Sequence, residues 1–312
     1  MYTEMPERIE MVEVSPRDGL QNEKRRIATA DKLALIERAV AFGARRIEAT
    51  SFVNPRAVPQ MADAEAVCEG LPEREDVTWI GLVMNRRGAE RALATGRIDQ
   101  LGAVSVATDS FAMANQGQTC DGSVEAACEI VALAAENGRS AQATIAASFG
   151  CPFEGEVPED RVIAMASAIA AAGPVEIALA DTIGVGNPAH VSRLVARVAE
   201  AIAPIPVRVH FHNTRGTGLA NVWAAIGSGA RIVDASVGGL GGCPFAPGAA
   251  GNIATEDVAY MLERAGIATG LDLAALIDTN HWLAKVMDKD LPSMVGKSGG
   301  FPAPREEERT TA

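Results

Sequence analysis

Short apolar runs rich in β-branched residues alternate along this chain with longer segments whose apolar positions recur every three or four residues. The short runs predict eight strands, because four to eight such residues between turn signals are typical of buried strands. The predicted strands are residues 9–14, 46–52, 77–83, 102–107, 142–148, 175–180, 207–212 and 232–237. The longer segments predict helices at 30–42, 86–95, 123–136, 159–172, 189–203 and 218–228.

The order of these elements predicts the fold class. Eight strands, spaced about 25 to 40 residues apart and alternating with helical segments, indicate an α/β protein built as a (β/α)8 TIM barrel. A doubly wound open sheet is the alternative. The barrel is favoured because polar residues end or follow the strands, and barrel strands meet with their carboxyl ends at one mouth. Those polar residues are Arg17, Asp18, Glu48, Asp109, Asp181, His210, His212 and the 238–252 loop.

The chain is expected to form one catalytic barrel over residues 1–270, followed by an extension of one or two helices at 271–304. A charged end at 305–312 predicts a disordered tail. The 312 residues would also suffice for two ordinary domains. No internal repeat or low-complexity linker divides the chain, which favours the single barrel.

Composition narrows the possible partners. A formal net charge of −12 disfavours nucleic acid and anionic membranes. No apolar stretch reaches the roughly 20 residues that span a bilayer, and residues 1–9 lack a signal-peptide core, so a cytoplasmic protein is expected. The five cysteines are unevenly spaced without a Cys-x-x-Cys pair, which indicates neither a disulfide framework nor a structural zinc site.

A His-x-His pair supplies the first candidate chemistry. His210 and His212 end the seventh predicted strand, and alternate residues of a strand project from one face, so both imidazoles are available to one metal ion. An ordinary hydrogen-bonded pair is the alternative interpretation. The glycine-rich stretch 238–252 follows, and it carries Cys243 and Asn252. A thiol on a flexible loop beside a metal suggests acid/base chemistry, whereas a small inert loop residue is the simpler interpretation.

The turn after the first strand supplies a second candidate. Arg17 and Asp18 are adjacent there, and a loop salt bridge between them is the plain interpretation. At a barrel mouth shared with the histidines, Asp18 would instead be a metal ligand, with the Asn252 carbonyl as a further one. Such a mixed oxygen and nitrogen site suits Mg²⁺ or Mn²⁺ best, and leaves zinc or iron open. Arg17, no longer paired with Asp18, would face a developing oxyanion.

This arrangement suits carbon–carbon cleavage next to an alkoxide, in which a metal acidifies a hydroxyl and an enolate is stabilised and then protonated. Arg17 suits the enolate, and Cys243 suits the protonation. Glu48 is expected either to support Arg17 or to be a charge on the barrel rim. Asp181, isolated after an apolar run, is expected to be buried with a histidine or arginine partner.

Five motifs resemble those of 3-hydroxy-3-methylglutaryl-CoA lyases, over about residues 11–273. They are VEVSPRDGLQNEK at 12–24, IEATSFV at 47–53, DTIGVG at 181–186, HFH at 210–212, and GLGGCPF at 239–245 with Gly251 and Asn252. The arginine–aspartate turn and the His-x-His strand are shared with condensing synthases such as isopropylmalate synthases. The cysteine loop is specific to the lyases.

The resemblance implies cleavage of a 3-hydroxy-3-methylglutaryl-CoA-like thioester to acetyl-CoA and acetoacetate, by a homo-oligomer that is a dimer in the family. It implies that Arg17 stabilises the enolate and that Cys243 is the general acid/base. The implied ligands of Mg²⁺ or Mn²⁺ are Asp18, His210, His212 and Asn252. Supporting residues are Glu48, Asp181 and Glu256, and implied substrate contacts are Gln21, Asn213, Arg215 and Glu256.

Two departures from the lyase pattern leave alternatives open. Asn213 and Arg215 stand where the pattern has aspartate and tyrosine, so an added cation would meet a different substrate carboxylate. Residues 108–123 also differ. A lyase for another 3-hydroxyacyl-CoA, such as citramalyl-CoA, is therefore the second hypothesis, followed by a condensing acyltransferase and a non-catalytic scaffold. Residues 24–26 are candidates for the CoA phosphates, although a solvated basic run is the plainer interpretation.

Overall fold

Eight parallel strands close into a barrel. The structure is a computed structural model that describes residues 5–242 and 251–302. The strands are β1 (Glu10–Glu13), β2 (Arg46–Ser51), β3 (Thr78–Val83), β4 (Gln100–Val106), β5 (Ser140–Ala146), β6 (Ile177–Asp181), β7 (Val207–Phe211) and β8 (Ile232–Ala235). Each pairs with the next, and β8 pairs with β1, so the sheet has no open edge. The predicted α/β TIM barrel is confirmed.

Helices form the layer outside the barrel. They are α1 (Thr29–Ala41), α2 (Ala64–Glu69), α3 (Arg86–Ala94), α4 (Asp109–Gln116), α5 (Cys120–Glu136), α6 (Glu159–Ala170), α7 (Pro188–Ile202), α8 (Gly218–Ile226) and α9 (Thr255–Arg264), followed by α10 (Leu273–Met287) and α11 (Met294–Ser298). The last two confirm the predicted C-terminal helices. In the part of the chain that the structure describes, no helix is long and apolar enough to cross a membrane.

Three helices were not predicted, namely α2, α4 and α9. The helix α4 is short and is followed by Gly117, whose φ of 70° lies in the left-handed region. About two turns contain too few apolar repeats to reveal a period, and such helices form mainly through tertiary packing. The unusual stretch 108–123 therefore holds α4, a left-handed break and the start of α5.

The strands β4 and β5 begin two residues earlier than predicted. Their first residues, Gln100 and Ser140, are polar and do not belong to the apolar runs. Inside the barrel they satisfy each other, since Gln100 Nε2 donates to Ser140 Oγ at 3.2 Å. Gln100 Oε1 also accepts a hydrogen bond from Arg46 at 2.7 Å. A polar strand end is therefore stable here because a neighbouring strand supplies its partner.

Four buried charges run through the barrel interior, and we call them the interior ion-pair chain. Arg46 Nη1 lies 2.7 Å from Glu176 Oε2, and Glu176 Oε1 lies 3.0 Å from Arg208 Nε. Arg208 Nη1 in turn lies 2.8 Å from both oxygens of Asp234. Two arginines and two carboxylates balance one another, as buried charges must. The apolar core lies mainly between the sheet and the helices, and this chain leads through the barrel toward its mouth.

Candidate metal and acid–base site

His210 lies on β7 and His212 directly follows its last residue, and both side chains line the cavity at the mouth. His210 and His212 are 9 % and 6 % exposed, and their ring centroids are 5.2 Å apart. The alternation of the strand accounts for this, because residues 208, 210 and 212 all point into the barrel. The predicted pairing of the imidazoles at the mouth is therefore present in the structure.

A single π-helical turn, Ser15–Gly19, places Arg17 and Asp18 beside the histidines. The turn is held by Glu13 at the end of β1, whose carboxylate accepts hydrogen bonds from Ser15 N at 2.9 Å and Val237 N at 3.1 Å. Since Val237 follows β8, this buried carboxylate connects the segments after the first and last strands. π-Helical turns occur often at functional sites.

Arg17 is paired with carboxylates on both sides. Its Nη1 lies 2.5 Å from Asp18 Oδ1, and its Nε and Nη2 lie 2.7 Å and 2.6 Å from Glu48 Oε2. The expectation that Arg17 would separate from Asp18 is wrong for this structure. Asp18 Oδ1 accepts from Arg17, and Asp18 Oδ2 remains available to Asn252, so the carboxylate serves both partners at once. The interpretation of Glu48 as support for Arg17 agrees with the geometry. Burial raises the pKa of Glu48 and outweighs the attraction of Arg17.

The second oxygen of Asp18 faces the histidines. Asp18 Oδ2 lies 3.9 Å from His210 Nε2 and accepts a hydrogen bond from Asn252 Nδ2 at 2.7 Å. Asn252 also pairs with His212 in an isolated β-bridge, which brings it to the same place. Burial opposes the charge of Asp18, but Arg17, the two histidines and the Asn252 amide outweigh it and hold the pKa of Asp18 well below its usual value.

The ligand atoms of Asp18, His210 and His212 all lie within 4.8 Å of one another, so they can hold one metal ion. Their chemical states suit that role. Burial and the neighbouring His210 lower the pKa of His212 to about 4, so its imidazole is neutral at neutral pH. Its buried Nδ1 has no partner among the described residues. Burial disfavours the charged form of His210, but Asp234 and Asp18 outweigh this effect and raise the pKa of His210. A neutral imidazole at His212 next to the ionised Asp18 fits a divalent cation.

A cavity of about 200 Å³ opens beside these groups. The predicted substrate contact Gln21 lines it, and Gln21 Oε1 is buried without a hydrogen-bond partner in the described structure. Six further polar residues line the cavity, and the sequence analysis assigns none of them a role. They are Asn22, Asn115, Thr144, Thr182, Arg208 and Asp234. The sequence does contain an indication of a role for Arg208, because it stands two positions before His210 and therefore on the same face of the strand. The corresponding indication for Asp234 is that it is a single carboxylate within an apolar strand.

Asp181, Asn213 and Arg215 were predicted for the site but do not line the cavity, and each binds backbone groups of nearby loops. Asp181 is buried, and its carboxylate accepts hydrogen bonds from Val185 N and Gly186 N, both at 2.9 Å. The expected histidine or arginine partner is therefore replaced by backbone amides. Asn213 Oδ1 accepts from Gly218 N at 3.0 Å, at the start of α8.

Arg215 is exposed and donates to the carbonyls of Ile183 and Gly184 at 2.8 Å and 3.0 Å. The guanidinium of Arg215 therefore binds the loop after β6. It does not line the cavity, so a substrate carboxylate inside the cavity would not contact it.

Glu256 also lies away from the cavity. Its two oxygens accept from Gly238 N at 3.1 Å and 3.0 Å, and Asn280 Nδ2 donates to it at 2.7 Å. Burial raises the pKa of Glu256 to about 7. The residue joins the turn after β8 to α10, so the structure gives it a supporting position and no contact with the cavity.

Cys243 lies outside the described residues, but both ends of its segment are described. A Cβ at Gly251 would lie 1.9 Å from Gly241 O, so only glycine permits this close approach of the two ends. Asn22 Nδ2 donates to Gly242 O at 3.1 Å, and Gly242 lines the cavity. Residue 243 therefore follows directly on a cavity-lining position. Of the other cysteines, Cys68, Cys120 and Cys151 are buried and Cys128 is half-buried, all without a disulfide.

Comparisons with known proteins show the family to which the chain belongs. The chain is 41% identical over 303 residues to (R)-citramalyl-CoA lyase of Chloroflexus aurantiacus, covering 94% of this chain and 95% of that protein. It is 39% identical to the hydroxymethylglutaryl-CoA lyase YngG of Bacillus subtilis, over 92% and 96% of the two chains. A solved HMG-CoA lyase of Acinetobacter baumannii, in complex with coenzyme A and 3-methylmalate, is 42% identical and superposes with a TM-score of 0.91 over 97% and 99%. The HMGL-like family profile matches residues 8–283, and the chain therefore belongs to the HMGL-like family.

Proposed function

We propose that this protein is a divalent-metal-dependent carbon–carbon lyase that cleaves 3-hydroxy-3-methylglutaryl-CoA, or a close analogue, to acetyl-CoA and acetoacetate. The observation that carries the proposal is the convergence of Asp18, His210 and His212 within 4.8 Å at the mouth of an HMGL-like barrel, with Arg17 paired to Asp18. The identities with hydroxymethylglutaryl-CoA lyases support the acyl-CoA substrate.

Asp18, His210 and His212 would hold Mg²⁺ or Mn²⁺, with Asn252 as the proposed fourth ligand. The bound cation would make the hydroxyl of the substrate more acidic. Oxygen and nitrogen donors of this kind suit either ion, so the choice between the two metals belongs to the proposal.

The residues of the chain then direct the bond cleavage. The thiolate of Cys243 is proposed to take the proton of the C3 hydroxyl, the C2–C3 bond breaks, and its electron pair moves toward the thioester carbonyl. C3 becomes the ketone of acetoacetate. Arg17, paired with Glu48, is proposed to stabilise the enolate oxygen. The thiol of Cys243 then returns the proton to C2, which completes acetyl-CoA.

Citramalyl-CoA is the second candidate substrate. It is favoured by the 41% identity to (R)-citramalyl-CoA lyase. The argument from Arg215 does not support it, because Arg215 binds backbone carbonyls and does not line the cavity. Asp181 and Glu256 are retained as supporting residues that act through the loops they bind. Asn213, predicted as a substrate contact, is proposed instead to support the loop before α8, because it bonds to Gly218 N and does not line the cavity.

A panel of 3-hydroxyacyl-CoA thioesters tests the substrate. We expect the purified protein to release acetyl-CoA from 3-hydroxy-3-methylglutaryl-CoA with a kcat/KM at least about tenfold above that for citramalyl-CoA, since one mismatched group in a fitted pocket costs about 1 to 3 kcal/mol. The measurement follows acetyl-CoA and the oxo-acid product by chromatography. The reverse preference would establish the second candidate, and condensation of acetyl-CoA with an oxo acid as the main reaction would exclude both.

Removal of the metal is expected to abolish turnover, and Mg²⁺ or Mn²⁺ is expected to restore it. Binding to the folded state should also raise the melting temperature when either ion is added, whatever the substrate. Elemental analysis and thermal unfolding, with and without a chelator, provide the measurement. Full activity without metal would refute the metal site, and metal-dependent stability without activity toward any thioester would indicate a non-catalytic scaffold.

A homodimer and a cytoplasmic location belong to the proposal as well. The dimer is implied by the resemblance to the lyases, and size-exclusion chromatography with light scattering measures it directly. No membrane or nucleic-acid partner is proposed, in keeping with the net charge of −12.

A further inference from the structure

Asp234 lies directly behind one of the two histidines. It belongs to β8, its side chain points into the barrel, and it is 4 % exposed. Its Oδ2 lies 3.1 Å from Nδ1 of His210, on the neighbouring strand β7. Nε2 of the same imidazole faces Asp18 Oδ2 at 3.9 Å. His210 therefore lies between a buried carboxylate and the site at which the metal is proposed to bind.

Arg208 determines whether the carboxylate of Asp234 donates or accepts hydrogen bonds. Its Nη1 lies 2.8 Å from both oxygens of Asp234, and its Nη2 donates to Thr144 Oγ1 at 2.9 Å. A guanidinium has donors only, so both oxygens of Asp234 accept. Since Asp234 Oδ2 accepts, His210 Nδ1 must donate to it. In the neutral imidazole the lone pair is then on Nε2, the nitrogen that faces Asp18.

We propose that Asp234 is a positioning residue that holds His210 in the tautomer with Nδ1 protonated and Nε2 free to bind the metal, and that Arg208 keeps Asp234 in its accepting role. Metal binding by Nε2 of His210 rests on the proposed function, whereas the tautomer of His210 is a property of the metal-free protein. His212 lacks such a partner in the described structure, because its buried Nδ1 has none. The interior ion-pair chain thus ends at one particular ligand.

Nuclear magnetic resonance tests the tautomer in the unsubstituted protein, and single histidine substitutions are needed only to assign the signals. Uniformly ¹⁵N-labelled protein contains only four histidines, so long-range ¹H–¹⁵N correlation spectra can be assigned by replacing each in turn. Asp234 and Asp18 outweigh burial and raise the pKa of His210, so spectra of the metal-free protein are recorded at increasing pH until its imidazole is neutral. The neutral His210 is then expected to show a protonated Nδ1 and an unprotonated Nε2. A neutral His210 with its proton on Nε2 would overturn the proposal, whatever the fate of the metal site.

Asp234→Asn tests the cause. The oxygen of the new amide is expected to turn to Arg208, which leaves the NH₂ group to donate to His210 Nδ1. The proton of His210 should then move to Nε2, where it blocks the ligand atom. We expect the affinity for Mn²⁺, measured by isothermal titration calorimetry, to fall about tenfold to a hundredfold. An unchanged tautomer and unchanged affinity in a folded Asp234→Asn protein would contradict the proposal.

Glu176→Gln is the matched control, since Glu176 belongs to the same buried chain but contacts Arg46 and Arg208 and not His210. It should lower the melting temperature yet leave the tautomer unchanged and the Mn²⁺ affinity within about twofold. If Glu176→Gln weakens Mn²⁺ as much as Asp234→Asn does, the effect is a general loss of buried charge and the positioning role is refuted. If the unsubstituted protein does not bind Mn²⁺, the proposed metal site fails, and the spectra still decide the tautomer.

Discussion

Arg17→Lys is expected to lower kcat by about a hundredfold or more, with little change in metal affinity. Arg17 reaches Asp18 through Nη1 and Glu48 through Nε and Nη2. A lysine keeps the positive charge but has one ammonium group, which cannot hold both carboxylates and also face an enolate. The effect should appear in kcat because the enolate oxygen becomes anionic only during the reaction.

Steady-state kinetics, together with Mn²⁺ titration and thermal unfolding, separate this effect from damage to the site. Arg74→Lys is the matched control, since Arg74 also binds one carboxylate through two nitrogens, to Asp76 at 2.8 Å and 2.7 Å, but does so at the surface. Its kcat should stay within about twofold, as expected for an exposed ion pair. A near-normal kcat for Arg17→Lys would assign the enolate to another group.

Cys243→Ser is expected to lose about a hundredfold to ten-thousandfold in kcat while folding normally and binding metal, because a hydroxyl is far less acidic than a thiol. Alkylating reagents should modify Cys243 first. Burial raises the pKa of Cys68 to about 11 and also raises the pKa of Cys120 and Cys128, which disfavours their thiolates. A bound substrate analogue should protect Cys243, since its segment starts at the cavity wall.

Mass spectrometry of the alkylated protein, with and without the analogue, measures both the order of labelling and the protection. Cys128→Ser is the matched control, because Cys128 is the half-buried cysteine of the described structure, and its kinetics should be unchanged. Labelling of Cys128 ahead of Cys243, or a Cys243→Ser enzyme with normal kinetics, would favour the interpretation of Cys243 as an inert loop residue.

Much of the site was predictable because each of its parts is local. Arg17 and Asp18 are neighbours in the sequence of a single turn, and the common face of His210 and His212 follows from the alternation of side chains along a strand. The barrel rule then places the ends of strands 1 and 7 at one mouth. Asp18, His210 and His212 could thus be grouped before any distance was known, and their ligand atoms lie within 4.8 Å.

Sequence proximity to a site residue gave wrong predictions where the chain leaves the mouth of the barrel. Asn213 and Arg215 lie one and three positions after His212. Nevertheless, Asn213 accepts a hydrogen bond from Gly218 N at the start of α8, and Arg215 donates to the carbonyls of Ile183 and Gly184. Asp181 finds the amides of its own loop in place of an ionic partner. Polar groups at a strand end have several ways to be satisfied, and only the path of the following loop selects one.

By itself, the sequence determined the strand and helix alternation, hence the barrel, and the end of the barrel at which the chemistry is proposed to occur. Only the tertiary structure decided which buried charges pair. Arg46 and Glu176 are 130 positions apart, and Arg208 meets Asp234 across neighbouring strands. Periodicity reports the environment of each residue along its own element, whereas the identity of a partner depends on how the strands are registered in the closed sheet.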